Sequence, residues 1–349
     1  LELSNSELVV LCDSVPPPVR DSFPQALLVH PESGNSRVLC DGSFEFLGSP
    51  IGTDDFCAAH TRDRAQKALP LLEAISDLDD TQVGLRLLRH CAGFCKMVYS
   101  MRTVPPASHQ DVLTEYDHNV RHAFIRLTGL DLTQTQWDQA TRGLSFAGLG
   151  LRSTARHCNA AFAASLSQAN RACCELDPAF VWEGILPGTA LFHALSALNF
   201  ELREEHRLPL AEPSGKRHQE LSQHLDEADH KAFFDSLCLD DRATVLSEML
   251  TGASDFLEAV PCGDNVIANE GFACELRTRL CVRQYVDDSW CPLCDSVLDA
   301  KGRHAHVCPS GGDRTRRHNA IRNKAGAFAD SAGFNPELEK PGLLQPSSE

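Results

Sequence analysis

Apolar residues in the first 52 positions come in short runs, SELVVLCD, QALLVHP and SFEFLGSPIG, each bounded by proline, glycine or serine. Short runs closed by turn residues predict strands. After Gly52 the spacing of apolar positions lengthens to three and four. Asp54 or Asp55 can cap a helix running to about Ser76, with Ala58, Ala65, Ala68, Leu69, Leu72 and Ile75 on one face. Leu78-Asp79-Asp80 supplies a turn, and Thr81 starts a second helix carrying Leu85, Leu88, Cys91, Cys95 and Val98 at the same spacing. It is expected to stop before Pro105-Pro106, because a proline ring disfavours helical geometry in the residue before it.

A third helix fits 108–128, ending at Gly129, and a short one fits 133–141. The stretch GLSFAGLGLRS, 143–153, reads as a glycine-punctuated extended or loop segment. It lacks the glycine spacing of a dinucleotide fingerprint, and no strand-helix-strand unit surrounds it. An alanine-rich helix follows over about 153–174. Further helical patterns cover about 190–205, 216–235, 240–252 and 269–281, with Pro178, Pro187, Pro209, Pro213 and Pro261 between them. No internal repeat is evident. The pattern predicts a mainly α chain with a small α+β edge at its N-terminus.

Composition adds limits. A length of 349 residues suits about two domains, and 42% hydrophobic with 23% charged residues describes a globular protein. The first twenty residues lack a basic start followed by an apolar core, and no run of about 18 apolar residues occurs. Secretion and membrane spanning are therefore not expected, and an intracellular setting, nuclear or cytoplasmic, is. The 15 cysteines then read as buried small hydrophobes plus metal ligands, not as a disulfide framework. The initial Leu1 and the closing GLLQPSSE, where a new segment starts, both read as cut ends.

Charge changes the picture more. A formal net charge of −16 argues against a protein coated in phosphate-binding surface. Yet between 301 and 324, Lys301, Arg303, Arg314, Arg316, Arg317, Arg322 and Lys324 stand against Asp313 alone. A basic helix of this kind can neutralise several backbone phosphates, with His318 beside them. The plainer alternative is a solvated helix face.

Candidate chemistry concentrates just before that helix, in CPLCDSVLDAKGRHAHVC. Two cysteines separated by two residues let one tight turn aim both thiolates at a single ion, and a later His and Cys can close the shell. The predicted ligands are Cys291, Cys294, His304 and Cys308. His306 and His318 remain alternatives to His304, which is preferred because Gly302 permits the chain reversal before it. Four protein ligands leave no open position for water, so the implied cofactor is structural zinc. His60, His90, His118, His122 and His157 lie on predicted helices without paired ligands. His118 and His122 are four apart and able to share a metal, but solvated or capping roles are simpler.

The order FEFLGSPIG, a helix pair ending in RTVPP, GLGLRSTARHCNAAFAASL, then CPLC with a following His and Cys, GGDRTRRHNAIRN and ELEKPGLL resembles the C-terminal half of non-LTR retrotransposon reverse-transcriptase polyproteins. The likeness is closest to those carrying a zinc knuckle and a restriction-like endonuclease. It implies a palm-edge remnant over 1–52, a helical thumb-like region over 53–282, a zinc knuckle over 283–312 and the nuclease's first helix over 313–349. The polymerase's catalytic aspartate box would precede this chain, and the nuclease strands would follow it. Glu339 corresponds to an acidic residue on or after that nuclease helix, or else is an exposed surface acid.

Tyr285-Val286-Asp287-Asp288 has the form of a reverse-transcriptase catalytic box. Its context is wrong for one, because it runs straight into Cys291 and follows the thumb instead of preceding it. It reads as an acidic turn. The expected activity is nucleic-acid binding, weak and to RNA or DNA, through Arg303, Arg314, Arg316, Arg317, His318, Arg322 and Lys324, without catalysis by this segment alone. The alternative is a non-catalytic helical zinc module that binds protein partners.

Overall fold

The computed structural model describes residues 8–9, 38–39, 43–310 and 312–339. The predicted strands in SELVVLCD and QALLVHP fall outside these, except Leu8–Val9 (β1), which pairs in parallel with Val38–Leu39 (β2). The chain divides into two compact units, Leu1–Leu280 and Cys281–Glu349. The fold is mainly α, with a small α+β edge at the N-terminus.

In the first unit, Phe44–Phe46 (β3) and Ser49–Ile51 (β4) form an antiparallel hairpin. Its two-residue turn places Leu47 and Gly48 at φ 49° and 78°, which matches the right-handed twist of the flanking strands. Arg64 and Tyr99 donate to the carbonyls of Gly48 and Leu47 at 3.1 and 2.6 Å, anchoring that turn. Thr53 then caps Asp54–Ser76 (α1) by accepting from the Phe56 amide. Cys57, Thr61, Ala65, Ala68, Leu72 and Ile75 are buried along one side of α1, one side of a helix of 3.6 residues per turn. Ala58 and Leu69 lie only half-buried on its margin.

The second predicted helix is interrupted. Thr81–Leu87 (α2) widens into a π turn over Leu88–Ala92 and breaks at Gly93, and a short 3-10 turn precedes Val98–Thr103 (α3). A Cβ on Gly93 would lie 2.8 Å from the Leu88 carbonyl oxygen, so the tight passage needs glycine. The extra residue in the π turn shifts the helical phase. Cys91 and Cys95, predicted for the apolar face, are exposed, while Leu88, Ala92, Met97 and Met101 are buried.

Pro106–Thr128 (α4) starts with a proline that needs no donor there and ends at Gly129 in the left-handed region. Gln134–Thr141 (α5) opens with a capping box between Thr133 and Gln136. Thr154–Leu176 (α6) is capped by Ser153 and is also held from outside. Asp117 of α4 accepts from Ser153 Oγ, the Thr154 amide and hydroxyl, and the Ala155 amide, at 2.6 to 3.1 Å. A carboxylate there satisfies amides that have no partner in the helix. Burial nevertheless pushes its carboxyl pKa up, against those bonds.

Ala160, Ala163 and Ala164 let α6 lie close to Ala190–Glu201 (α7) and His218–Ser236 (α8), burying Leu191, Leu195, Leu198, Leu221 and Leu225. Each such leucine contributes about 1.5–3 kcal/mol. Leu239–Glu248 (α9), Asp255–Glu258 (α10) and Asn269–Arg279 (α11) complete this unit. Helices α9 and α11 end earlier than the predicted 252 and 281.

Arg279 is fully buried. It donates to the carbonyls of Gly148 and Leu144 at 2.9 and 2.8 Å and to Glu248 Oε2 at 2.7 Å. Gln139 donates to the Ala147 and Arg279 carbonyls. The segment predicted as a loop at 143–153 thus carries a short turn at Leu144–Phe146 and buries Ala147, Gly148, Leu149 and Leu151. A Cβ on Gly148 would lie 2.1 Å from the Arg142 carbonyl oxygen.

The second unit is small. Ser289–Trp290 (β5) pairs antiparallel with Val297–Leu298 (β6), Arg303–Val307 (α12) follows, and Asp313–Ser331 (α13) closes it. Among the described residues, no helix is long and apolar enough to cross a membrane.

Candidate metal centre and basic helix

The hairpin β5–β6 and helix α12 bring the four predicted ligands together. The Cys291 amide donates to the Ser296 carbonyl at 2.9 Å, closing the turn that carries Cys291 and Cys294. Gly302, at φ 76°, reverses the chain into α12. Asp299 accepts from the Lys301 and His304 amides at 3.1 and 2.8 Å, fixing the start of that short helix. Burial works against the Asp299 anion, but the His304 and Arg303 amides hold its pKa below the usual carboxylate value.

The ligand atoms of Cys291, Cys294, His304 and Cys308 all lie within 4.8 Å of one another. Cys308 Sγ is 3.8 Å from both Cys291 Sγ and Cys294 Sγ, and Cys294 Sγ is 3.2 Å from His304 Nε2. Zinc–sulfur bonds of about 2.3 Å place sulfurs about 3.8 Å apart in a tetrahedron. The spacing far exceeds a disulfide bond of about 2.05 Å. The Leu293 amide also points at Cys291 Sγ, 3.4 Å away.

The thiols are prepared unequally. The Ser296 amide and hydroxyl pull Cys294 down to about 6. The Ser310 amide pulls Cys308 the same way, but desolvation and its two neighbouring sulfurs raise it overall. Three sulfurs at this separation repel one another as thiolates, and a cation among them removes that cost. The cluster can therefore hold a metal ion and is compatible with structural zinc.

His304 is the histidine in this cluster. His306 is exposed, with its carbonyl accepting from Arg317. His318 instead faces Glu339 at 3.4 Å. The YVDD segment forms bends before β5, and Asp288 Oδ1 accepts from the Ala300 amide at 2.7 Å. Asp288 thus fastens the hairpin.

The predicted basic residues divide. On α13, turning about 100° per residue, Arg314, Arg317, His318, Arg322 and Lys324 share an arc of about 160° with Ile321 and Phe328. Arg316 falls on the opposite side, and Arg303 belongs to α12. Lys324 Nζ stands 5.4 Å from the Phe328 ring centroid. Arg322 pairs with Glu339, whose pKa that guanidinium lowers.

Outside the predicted set, a cleft of ≈530 Å³ in the helical unit is lined by Arg121, Arg142, Arg152 and Arg156 among others. Arg156 is paired to Asp229 and Glu201. The Nε and Nη1 of Arg142 are buried without hydrogen-bond partners, with its guanidinium 4.4 Å over the Phe233 ring. The run of arginines after 141 was the available sequence signal, but only the fold brings Arg121 to it. His118 and His122 are exposed, as a solvated role requires, whereas His157 is buried 3.8 Å from Asp226. Comparison with known protein families, characterised proteins and solved structures finds no match.

Proposed function

We propose that this chain is the nucleic-acid-binding thumb and zinc-knuckle portion of a non-LTR retrotransposon reverse transcriptase, an RNA-directed DNA polymerase. The observation carrying that reading is the four-ligand cluster followed at once by a helix with five basic side chains on one arc. Zinc fixes the origin of the helix, and Arg317 ties it back by donating to the His306 carbonyl. The arc then sets cationic side chains one helical turn apart, a spacing at which successive phosphates can meet them. Reduced thiols at the metal centre fit an intracellular setting, nuclear or cytoplasmic.

Binding of a labelled oligonucleotide to the zinc-loaded chain, followed across a salt series, tests this. Removing one cation that pairs with a phosphate should lower the logarithmic salt slope by about 0.7 to 0.9. The Arg314→Ala/Lys324→Ala double variant is expected to lose about two such steps, and Arg316→Ala less. Absence of binding at low salt, or identical slopes in all three proteins, overturns the reading. The exposure of Ile321 (72%) and Phe328 (63%) on the basic arc favours one other reading, docking of a protein partner. Capture of a protein that survives high salt and is lost on chelation, without oligonucleotide binding, would select it.

A further inference from the structure

The helical unit holds a second set of metal-type ligands, far from the cysteines in sequence. His206 ends a short 3-10 turn, while His224 and Glu227 sit one turn apart on α8. Three residues of separation place His224 and Glu227 on the same helix face. His206 Nε2 lies 3.1 Å from Glu227 Oε2, and His224 Nδ1 lies 3.4 Å from the same oxygen. All three ligand atoms fall within 4.8 Å of one another. Bonds of about 2.0–2.1 Å to nitrogen and oxygen give a tetrahedral edge of about 3.3 to 3.4 Å, which these separations approach.

The surroundings hold Glu227 in place. Gln223 Nε2 donates to the other Glu227 oxygen at 3.2 Å, leaving Oε2 directed at the two rings. The imidazoles stack with centroids 3.8 Å apart and planes 20° from parallel, so one ring turns out of the stack when both nitrogens face a single ion. Arg203 donates to the Glu227 backbone carbonyl at 3.0 Å and approaches Glu205 at 3.9 Å, so an acid partly offsets the nearby cation. The three side chains are each about a quarter exposed or less, open enough for an ion to enter.

We propose that His206, His224 and Glu227 form a second divalent-metal site, chemically distinct from the cysteine centre. Two imidazoles and a carboxylate suit zinc or cobalt(II) and exclude the thiolate preference of the first site. Three protein ligands leave the fourth position to water or to an external donor, whereas the cysteine centre is closed. Without metal, the same geometry serves as a polar contact between the two imidazoles and Glu227. That contact is the competing explanation.

Titrating the metal-free full chain with cobalt(II) separates the two. The first site should give intense sulfur-to-metal absorption. A second equivalent should add only weak ligand-field bands and no further sulfur signal. His206→Ala/His224→Ala and Glu227→Gln are each expected to abolish the second equivalent and keep the first, with helical circular dichroism unchanged. Should a variant misfold, imidazole NMR of the wild-type chain gives the answer directly. With the cysteine site already filled with zinc, added zinc should shift the ring resonances of His206 and His224. One equivalent in the wild type, a second that survives both variants, or unmoved ring resonances would overturn the proposal.

Discussion

The helical unit and the C-terminal unit meet the cost of ordering a chain in different ways. In the first, leucines and alanines of α6, α7 and α8 bury one another, and internal polar groups such as Asp117 and Arg279 are met by several partners. In the second, Trp290, Leu293, Val307, Ile321 and Phe328 are all exposed. Among its described residues few are buried, Ala300, Gly302 and Cys308 among them. Small units have too little interior for apolar burial alone, and a metal ion, which the Cys291, Cys294, His304 and Cys308 cluster can hold, can supply that role by joining distant ligands.

The largest test of this contrast is metal removal. Structural zinc contributes on the order of 10–16 kcal/mol in small modules. Chelation or Cys291→Ser should abolish amide protection across residues 289–308 while the helical unit keeps its exchange pattern. Loss of protection in both units together would erase the distinction. Next in size is Arg279→Ala, which leaves Glu248 and loop carbonyls buried without their donor. It should cost the helical unit about 3–5 kcal/mol, read by denaturant unfolding, with metal content unchanged.

Acid should loosen both units for different reasons. In the helical unit, burial lowers His109 and His218 to about 4 and holds His157 well below its ordinary value. The unfolded chain takes up protons first as pH falls below about 6.5, so stability contributed by these neutral rings is lost between about 6.5 and 4. Each of His109 and His218 accounts for at most about 3.5 kcal/mol at about 1.4 kcal/mol per unit. Asp226, raised to about 6 by burial, acts with opposite sign, since its protonation in the folded state adds stability on acidification. Thermal melts across this range should therefore be flatter in His218→Gln and steeper in Asp226→Asn. The cysteine centre should lose metal in acid as its thiolates protonate, an event visible as zinc release. The smallest effect is on α13, where Lys324→Ala should leave both unfolding transitions within about 0.5 kcal/mol.

Much of the architecture was legible because its rules are local. Ser153 and Gly129 mark helix ends through hydrogen bonds and backbone angles decided within a few residues, whereas the first helix is capped by Thr53 in place of Asp54 or Asp55, and the third starts at Pro106, two residues before the expected 108. The ligand spacing from Cys291 to Cys308 likewise lies within one hairpin and one short helix. Where prediction failed, the cause was nonlocal or cumulative. The π turn at Leu88–Ala92 moved Cys91 and Cys95 off the apolar side although their spacing was helical. Arg279 lies at the end of a helix, and its burial depends on carbonyls more than 130 positions away.

The sequence by itself determined the helical character of the body, most helix boundaries, the cysteine ligands Cys291, Cys294 and Cys308 and the basic segment after them. Each follows from periodicity, capping chemistry or short spacing, which act within a turn or two of chain. Only the tertiary structure decided which histidine joins the cysteines, that Arg317 reaches back to the His306 carbonyl, and that His206 meets His224 and Glu227. Those outcomes depend on directions in space between side chains, and linear order does not encode them until helices pack and turns close.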